Sequence, residues 1–360
     1  MKIAILWTKL SGYLNSCLIQ LASRKDVDLF VSHQVSSNDA PFDKEQFAWM
    51  TNRLIWRSEK ELLNLDRRID SFAPDILIFV SWHLAPYRQI ARSLTDRAWR
   101  VLAMDNCWNG TWKQYLGALT APIYVRPLAD AVFLPGERQA VFARNLGFKQ
   151  SQIMRGLYAC SREQFEAVHL ERISHGRPVP RAFIFVGRFI AEKGIDVLVE
   201  AYRKYRTVSR SPWPLICCGN GPMRPMLEDQ PGIRIEGFVQ PNRLPDLMGS
   251  AACLVLPSKV EPWAVVVHEA ASAGLALLVS ENVGSAVHLV QPGHNGFIFD
   301  ADDPHGLTSA MMRVSEMSDD RIEQLSRASN VMSAQFSPAR WTDTILDTYY
   351  ARLSPSTLSE

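Results

Sequence analysis

At 360 residues the chain is long for one core, since domains commonly run to about 100–200 residues. Hydrophobic residues make up 47% and charged ones 21%, which excludes a disordered or collagen-like chain. With 39 Lys and Arg against 37 Asp and Glu, the formal +2 lacks the basic excess of a dedicated nucleic-acid binder.

The apolar run from Met1 to Trp7 is broken at Thr8-Lys9, too soon for a signal-peptide core, and reads as a first strand. Further strands are expected at 27–32, 75–82, 100–104 and 130–134. Between them lie amphipathic helices, including one over 53–72 where Ile55, Leu62, Leu65, Ile69 and Phe72 recur at helical spacing. The breaker-rich Ser174 to Pro180 segment reads as a linker. A second alternation follows it. Strands are expected at 182–187, 215–219, 233–235, 253–256 and 275–279, with helices at 194–206, 244–249, 262–273 and 304–316. Pro338 to Leu353 closes the chain as a helix, with Trp341, Ile345, Leu346 and Tyr349 in helical register.

Two strand–helix series imply two doubly wound domains, with ligands at the carboxyl ends of their strands. No apolar run reaches the roughly 18–20 residues that span a bilayer. The six cysteines form no C-x-x-C pair, and several lie in apolar stretches, so reduced, buried thiols in a cytosolic protein are expected.

Chemistry gathers in the second series. Pro262 is expected at a first helical position, which places Glu261 at a helix mouth and Glu269 about two turns on. Glu261 could accept sugar hydroxyls and Glu269 a vicinal diol; a capping Glu and a solvated Glu account for the spacing about as well. After strand 182–187, Gly187 is expected to allow a tight turn. Arg188 and Lys193 add two cations suited to a diphosphate, with Glu192 a surface partner for either. Gly219-Asn220-Gly221-Pro222, Gly237-Phe238-Val239 and Val283-Gly284-Ser285-Ala286 are turns at the same sheet edge. Bare backbone N–H groups there could meet a base, phosphate or sugar, although each alone could be an ordinary turn.

In this order, Gly187-Arg188, Glu192-Lys193-Gly194, Gly219 to Pro222, Gly237 to Val239, Pro257-Ser258, the Glu261 and Glu269 pair with Ala270 and Gly274, and Asn295-Gly296-Phe297 resemble retaining glycosyltransferase family 4. The resemblance covers most of 181–300 and implies a GT-B fold: two Rossmann-like domains across a cleft, with the last helix crossing back to the first. The implied division is an acceptor domain over 1–175 plus a C-terminal helix within 338–360, and a donor domain over 181–337. It also implies that Arg188 and Lys193 hold the donor diphosphate, Glu269 the ribose, and Glu261 faces the transferred sugar. Gly187, Gly219, Gly237, Phe238, Val239, Gly284 and Ser285 would line the donor site. The sequence departs from the family at Gly284-Ser285 with His288, and at Asp105-Asn106, where members often have His-Asp. His83 is the nearest candidate for a substrate-facing His, against a structural role, and Gly12-Tyr13 fits the loop approaching the diphosphate.

The expected protein is therefore a metal-independent, retaining hexosyltransferase. Its donor would be a nucleotide-diphosphate sugar and its acceptor a glycan or lipid-linked saccharide in cell-envelope polysaccharide synthesis. No Asp-x-Asp motif stands at a strand end; Asp302-Asp303 and Asp319-Asp320 read as helix-start or surface acids. No cofactor is expected. A nonhydrolysing nucleotide-sugar epimerase and a noncatalytic nucleotide-sugar binder are the alternatives. A dinucleotide-dependent oxidoreductase lacks its Gly-x-Gly-x-x-Gly turn after Leu6. Residues 1–170 hold 21 basic and 16 acidic side chains, and 171–360 hold 18 and 21. That split fits a cytoplasmic protein held peripherally at an anionic membrane face, or a merely solvated surface. The aromatic stretch Trp108 to Tyr115, with Trp82, suits acceptor stacking, membrane insertion or ordinary packing.

Overall fold

The computed structural model describes residues 1–35 and 44–353. The chain forms two compact units, one of residues 1–160 with 336–360, the other of 161–335. In the first unit the elements run β1 (Lys2–Lys9), α1 (Gly12–Ala22), β2 (Asp28–Gln34), β3 (Arg53–Trp56), α2 (Leu65–Phe72), β4 (Ile76–Phe79) and α3 (Ala85–Ser93). They continue with β5 (Trp99–Ala103), α4 (Trp112–Tyr124), β6 (Ala131–Leu134), α5 (Glu137–Asn145) and β7 (Ile153–Arg155). The seven strands pair in the order β3-β2-β1-β4-β5-β6-β7, with every ladder parallel. Strands β4, β5 and β6 are buried at every position, as a parallel sheet covered on both faces requires.

The second unit runs α6 (Arg162–Ser174), β8 (Phe183–Val186), α7 (Ile195–Val208), β9 (Leu215–Cys218), β10 (Ile233–Gly237), α8 (Leu244–Gly249) and β11 (Cys253–Leu256). It ends with α9 (Val265–Ser272), β12 (Ala276–Ser280), α10 (Ala286–Leu289), β13 (Gly296–Phe299), α11 (Pro304–Ser315) and α12 (Asp319–Ser333). Its sheet order is β10-β9-β8-β11-β12-β13, again all parallel. The last helix, α13 (Pro338–Leu353), returns to the first unit and packs on α1. There Trp341 is buried against Phe133 and donates from Nε1 to the Leu157 carbonyl at 2.9 Å. Residues 354–360 lie outside the described part.

Three expectations are corrected. The helix read over 53–72 is a strand, a short 3-10 turn and a helix of only eight residues. Arg53 to Trp56 instead extend the sheet edge beside Val31 to Gln34, and Ile55 is left exposed there. The Ser174–Pro180 segment does not divide the units. The boundary falls near 160 because α6 packs on α8 and α9. Arg172 pairs with Glu323 at 2.7 Å and Arg162 donates to Ser333 Oγ at 3.1 Å, fastening α6 to α12. Finally, the helix expected from Pro262 starts at Val265, after Ala264 in a left-handed conformation at φ 71°. Residues 261–263 lie alongside 283–285 instead: Glu261 bridges Val283, and the N–H groups of Gly284 and Ser285 donate to the carbonyls of Glu261 and Trp263.

No described helix is long and apolar enough to cross a membrane. All six cysteines are free, and five are buried.

Candidate donor site in the second unit

Strand β8 comes first in its sheet, with β9 on one side and β11 on the other. The order therefore reverses between β8 and β11, and open α/β sheets bind ligands in the crevice at such a point. The loops leaving these two strands carry the residues singled out from sequence.

The loop after β8 runs from Gly187 to Gly194. Its left-handed residue is Gly194, at φ 67°, and a Cβ there would collide with the Pro257 carbonyl, so the two loops meet with no room for a side chain. Gly187, expected to make the tight turn, has no positive φ. The β11 loop is tied to the same segment because the N–H groups of Lys259 and Val260 both donate to the Glu192 carbonyl, at 2.8 and 3.2 Å. Lys259 Nζ then bridges Asp196 and Asp302, at 2.8 and 2.5 Å, and these two carboxylates hold its ammonium above the usual lysine range. Nothing in the sequence, where the three residues stand far apart, signalled this clamp.

The clamp brings Lys193 and Glu261 together as a direct ion pair, with side chains only 18% and 10% exposed. The sequence reading gave the two residues separate ligand roles. Without a ligand they satisfy one another, since a mostly buried charge needs a counter-charge. Arg188 is exposed, and its side chain makes no hydrogen bond or ion pair among the described residues, with Glu192 or any other group. Glu269 lies within α9 and is half-buried. Burial lifts its carboxyl to about 7, and no protein group among the described residues bonds to it. The N-terminus of α9 has no side-chain cap.

The turns at this edge differ from expectation in one respect. The N–H groups of Gly187 and of the 219–222 and 283–286 turns are largely taken. Gly187 donates to the Cys218 carbonyl, Gly219 to that of Gly237, Gly221 to Asn220 Oδ1, and Gly284 and Ser285 to the 261–263 segment. The buried Ser285 hydroxyl is also used, donating to the Ala264 carbonyl at 3.3 Å. These residues shape the edge, while charged side chains remain available on it. Gly237-Phe238-Val239 closes β10, the outermost strand, and His288 lies beside the buried Trp263 with ring centroids 5.6 Å apart. Of the acidic pairs, Asp303 caps α11, Asp302 holds Lys259, and Asp319 and Asp320 occupy the first turn of α12.

In the first unit the order reverses between β1 and β4. Gly12 opens α1 just after β1, behind the capping Ser11, and His83 is exposed in the turn between β4 and α3. A feature missed from sequence lies at the same edge. Tyr158 donates to Asp105 Oδ2 at 3.0 Å and meets Tyr13 edge-on at 5.2 Å, uniting residues more than 140 positions apart. Trp108 and Trp82 pack against the first unit's core, the ordinary role among those considered for them.

Comparison with known proteins agrees with this architecture. Residues 171–330 match the family model described as glycosyl transferases group 1. An uncharacterized glycosyltransferase of Methanocaldococcus jannaschii is 34% identical over 141 residues, 37% of this chain and 35% of that protein. The alpha-D-kanosaminyltransferase of Streptomyces kanamyceticus is 24% identical over 238 residues, 62% of this chain and 61% of its own. A glycogen synthase of Mycobacterium tuberculosis is 31% identical over 145 residues, 38% and 34% of the two chains. The chain thus spans between about a quarter and three fifths of the curated relatives it matches. Among solved structures, Anabaena Alr3699/HepE in complex with UDP superposes with a TM-score of 0.75 at 14% identity, covering 98% of this chain and 100% of that one. Sucrose-phosphate synthase of Thermosynechococcus elongatus gives 0.74 at 15%, covering 98% and 99%. With its two all-parallel sheets and the helix α13 returning to the first unit, the chain has the two-domain α/β GT-B fold.

Proposed function

We propose that the protein is a retaining glycosyltransferase of family 4 type, moving a hexose-type sugar from a nucleotide-diphosphate donor to a glycan or lipid-linked saccharide in cell-envelope polysaccharide synthesis. The observation that carries this reading is the Lys193–Glu261 pair at the reversal point of the second sheet, flanked by the unpartnered Arg188 and Glu269. An arriving diphosphate offers Lys193 a stronger counter-charge than one carboxylate does. Lys193 then turns to the phosphates, Arg188 joins it, and Glu261 is freed to accept hydroxyls of the sugar. Glu269 takes the ribose diol. As the bond from sugar to diphosphate breaks, negative charge grows on the leaving oxygens, where the two cations stabilise it. No carboxylate is assigned as a covalent nucleophile. The leaving diphosphate accepts the acceptor's proton, and substitution occurs on the face it leaves. The first unit, with His83 and the Asp105–Tyr158 pair at its sheet edge, supplies acceptor contacts.

The reading requires no divalent metal and places the enzyme in the cytoplasm, at the membrane's inner face. Titrating UDP, GDP, ADP and TDP while following the melting temperature tests donor binding, since a ligand of the native state raises it by mass action. One nucleotide should do so, and Glu269→Ala should weaken it at least about tenfold, the effect of about 1.4 kcal/mol. Glu261→Ala should chiefly lower kcat. Activity should survive a chelator. No response to any nucleotide overturns the reading, and turnover of donor alone to an isomer replaces it with epimerase chemistry.

A further inference from the structure

Helix α4 is built inside out. Of its thirteen residues only Ala121 is buried, while Trp112, Tyr115, Leu116, Leu119 and Ile123 are between 52% and 78% exposed. At about 100° per residue these five large side chains share an arc of roughly 100°, with Gly117, Ala118 and Ala121 on the other side. A surface helix normally turns its large apolar residues to the core. Here the fold takes the small ones and leaves the large ones outside. Trp108 marks the limit of the core: it packs on Phe142, and Tyr115 meets it edge-on at 5.0 Å. Beyond it no described residue buries the face.

Charge selects the occupant. No Asp or Glu lies between Asp105 and Asp130, and Lys113 stands exposed beside the apolar arc. Trp and Tyr on an apolar arc beside a cation are the composition of a helix lying in the headgroup region of an anionic bilayer. Thirteen residues are too few to span it. A second copy paired through the same face would meet Lys113 with no acidic residue of α4 to balance it.

We infer that α4 docks the protein onto an anionic lipid surface, lying in its plane with the face from Trp112 to Ile123 in the boundary between headgroups and acyl chains. This deepens the reading above by bringing the carboxyl edge of β5, which leads into α4, to where a lipid-linked acceptor resides. It is tested without any sugar donor, so it stands or falls separately from that reading.

The test sediments the full-length protein with vesicles of phosphatidylcholine containing phosphatidylglycerol and with vesicles of phosphatidylcholine alone. Binding should be at least about tenfold tighter to the anionic vesicles and should weaken with added salt. The double variant Leu119→Ser, Ile123→Ser should lose at least about tenfold with an unchanged melting temperature, because both side chains are already in solvent. Lys113→Glu should lose about fivefold or more. Sedimentation of the double variant equal to wild type, or none of wild type with either vesicle, overturns the proposal. A dimer in free solution that the double variant converts to monomer, with no vesicle binding, assigns the face to a second copy instead.

Discussion

Glu269 combines a carboxyl held near neutrality with the role proposed for it, holding the donor's ribose diol. Its ionised form offers two acceptor oxygens, and protonation removes half of that capacity. Since burial sets the carboxyl at about 7, ionisation is nearly complete at pH 8 and slight at pH 6. Nucleotide affinity should therefore fall on acidification, by up to about tenfold between those values. The phosphates titrate in the same range, so the measurement is the difference between wild type and Glu269→Gln; the variant should keep only the phosphate's own, shallower dependence. Ala264 invites a second substitution. An L-residue at φ 71° carries a steric cost of about 1–2 kcal/mol that glycine avoids, partly offset by glycine's greater freedom in the unfolded chain. Ala264→Gly should raise the second unit's melting temperature by a few degrees, about 2–4 °C for a net 1 kcal/mol, read by calorimetry.

Among the elements, α13 has the clearest energetic role. Trp341 is 1% exposed, and its indole both packs on Phe133 and spends its N–H on the Leu157 carbonyl. Trp341→Ala should cost about 3–5 kcal/mol in denaturant unfolding, because it opens a cavity and strands a buried carbonyl. That helix was legible to the residue, since its apolar positions keep one period throughout. The central strands were equally plain: runs such as Ile76 to Phe79 and Cys253 to Leu256 are buried on both faces and read as unbroken apolar stretches. The edge strands of the first unit carry no such run. β3 exposes Ile55 and β7 has three residues, so the first was absorbed into a false helical period and the second passed unnoticed. At the site, residue types at strand ends revealed which side chains carry chemistry, but not their mutual arrangement. Lys193 and Glu261 are 68 positions apart, and their pairing depends on a clamp of backbone bonds and on Lys259 that only the folded chain displays.

On the scale of the molecule, the two units are differently made. The second is one continuous segment with its own sheet and helices, whereas the first borrows its last helix from the far end of the chain. Residues 161–335 expressed alone should fold cooperatively and retain the nucleotide response. Residues 1–160 alone should be aggregation-prone, because the α1 surface and the neighbourhood of Phe133 lose their cover. A fragment of 161–335 that stays unfolded would show that the units depend on each other for stability. The linker-like composition of 174–180 could not convey this, since a Pro- and Gly-rich connection looks the same within a unit as between two.

The return of α13 also orders events in time. A chain leaving the ribosome exposes its first 160 residues early, yet that unit stays open at the α13 position until the last turn of the final helix has emerged. The second unit, complete by residue 335, can close while the first still waits. The earliest part made is thus the last to be finished. A chain truncated between residue 335 and α13 can hold a whole second unit but never a whole first one, so only a chain that includes α13 carries both.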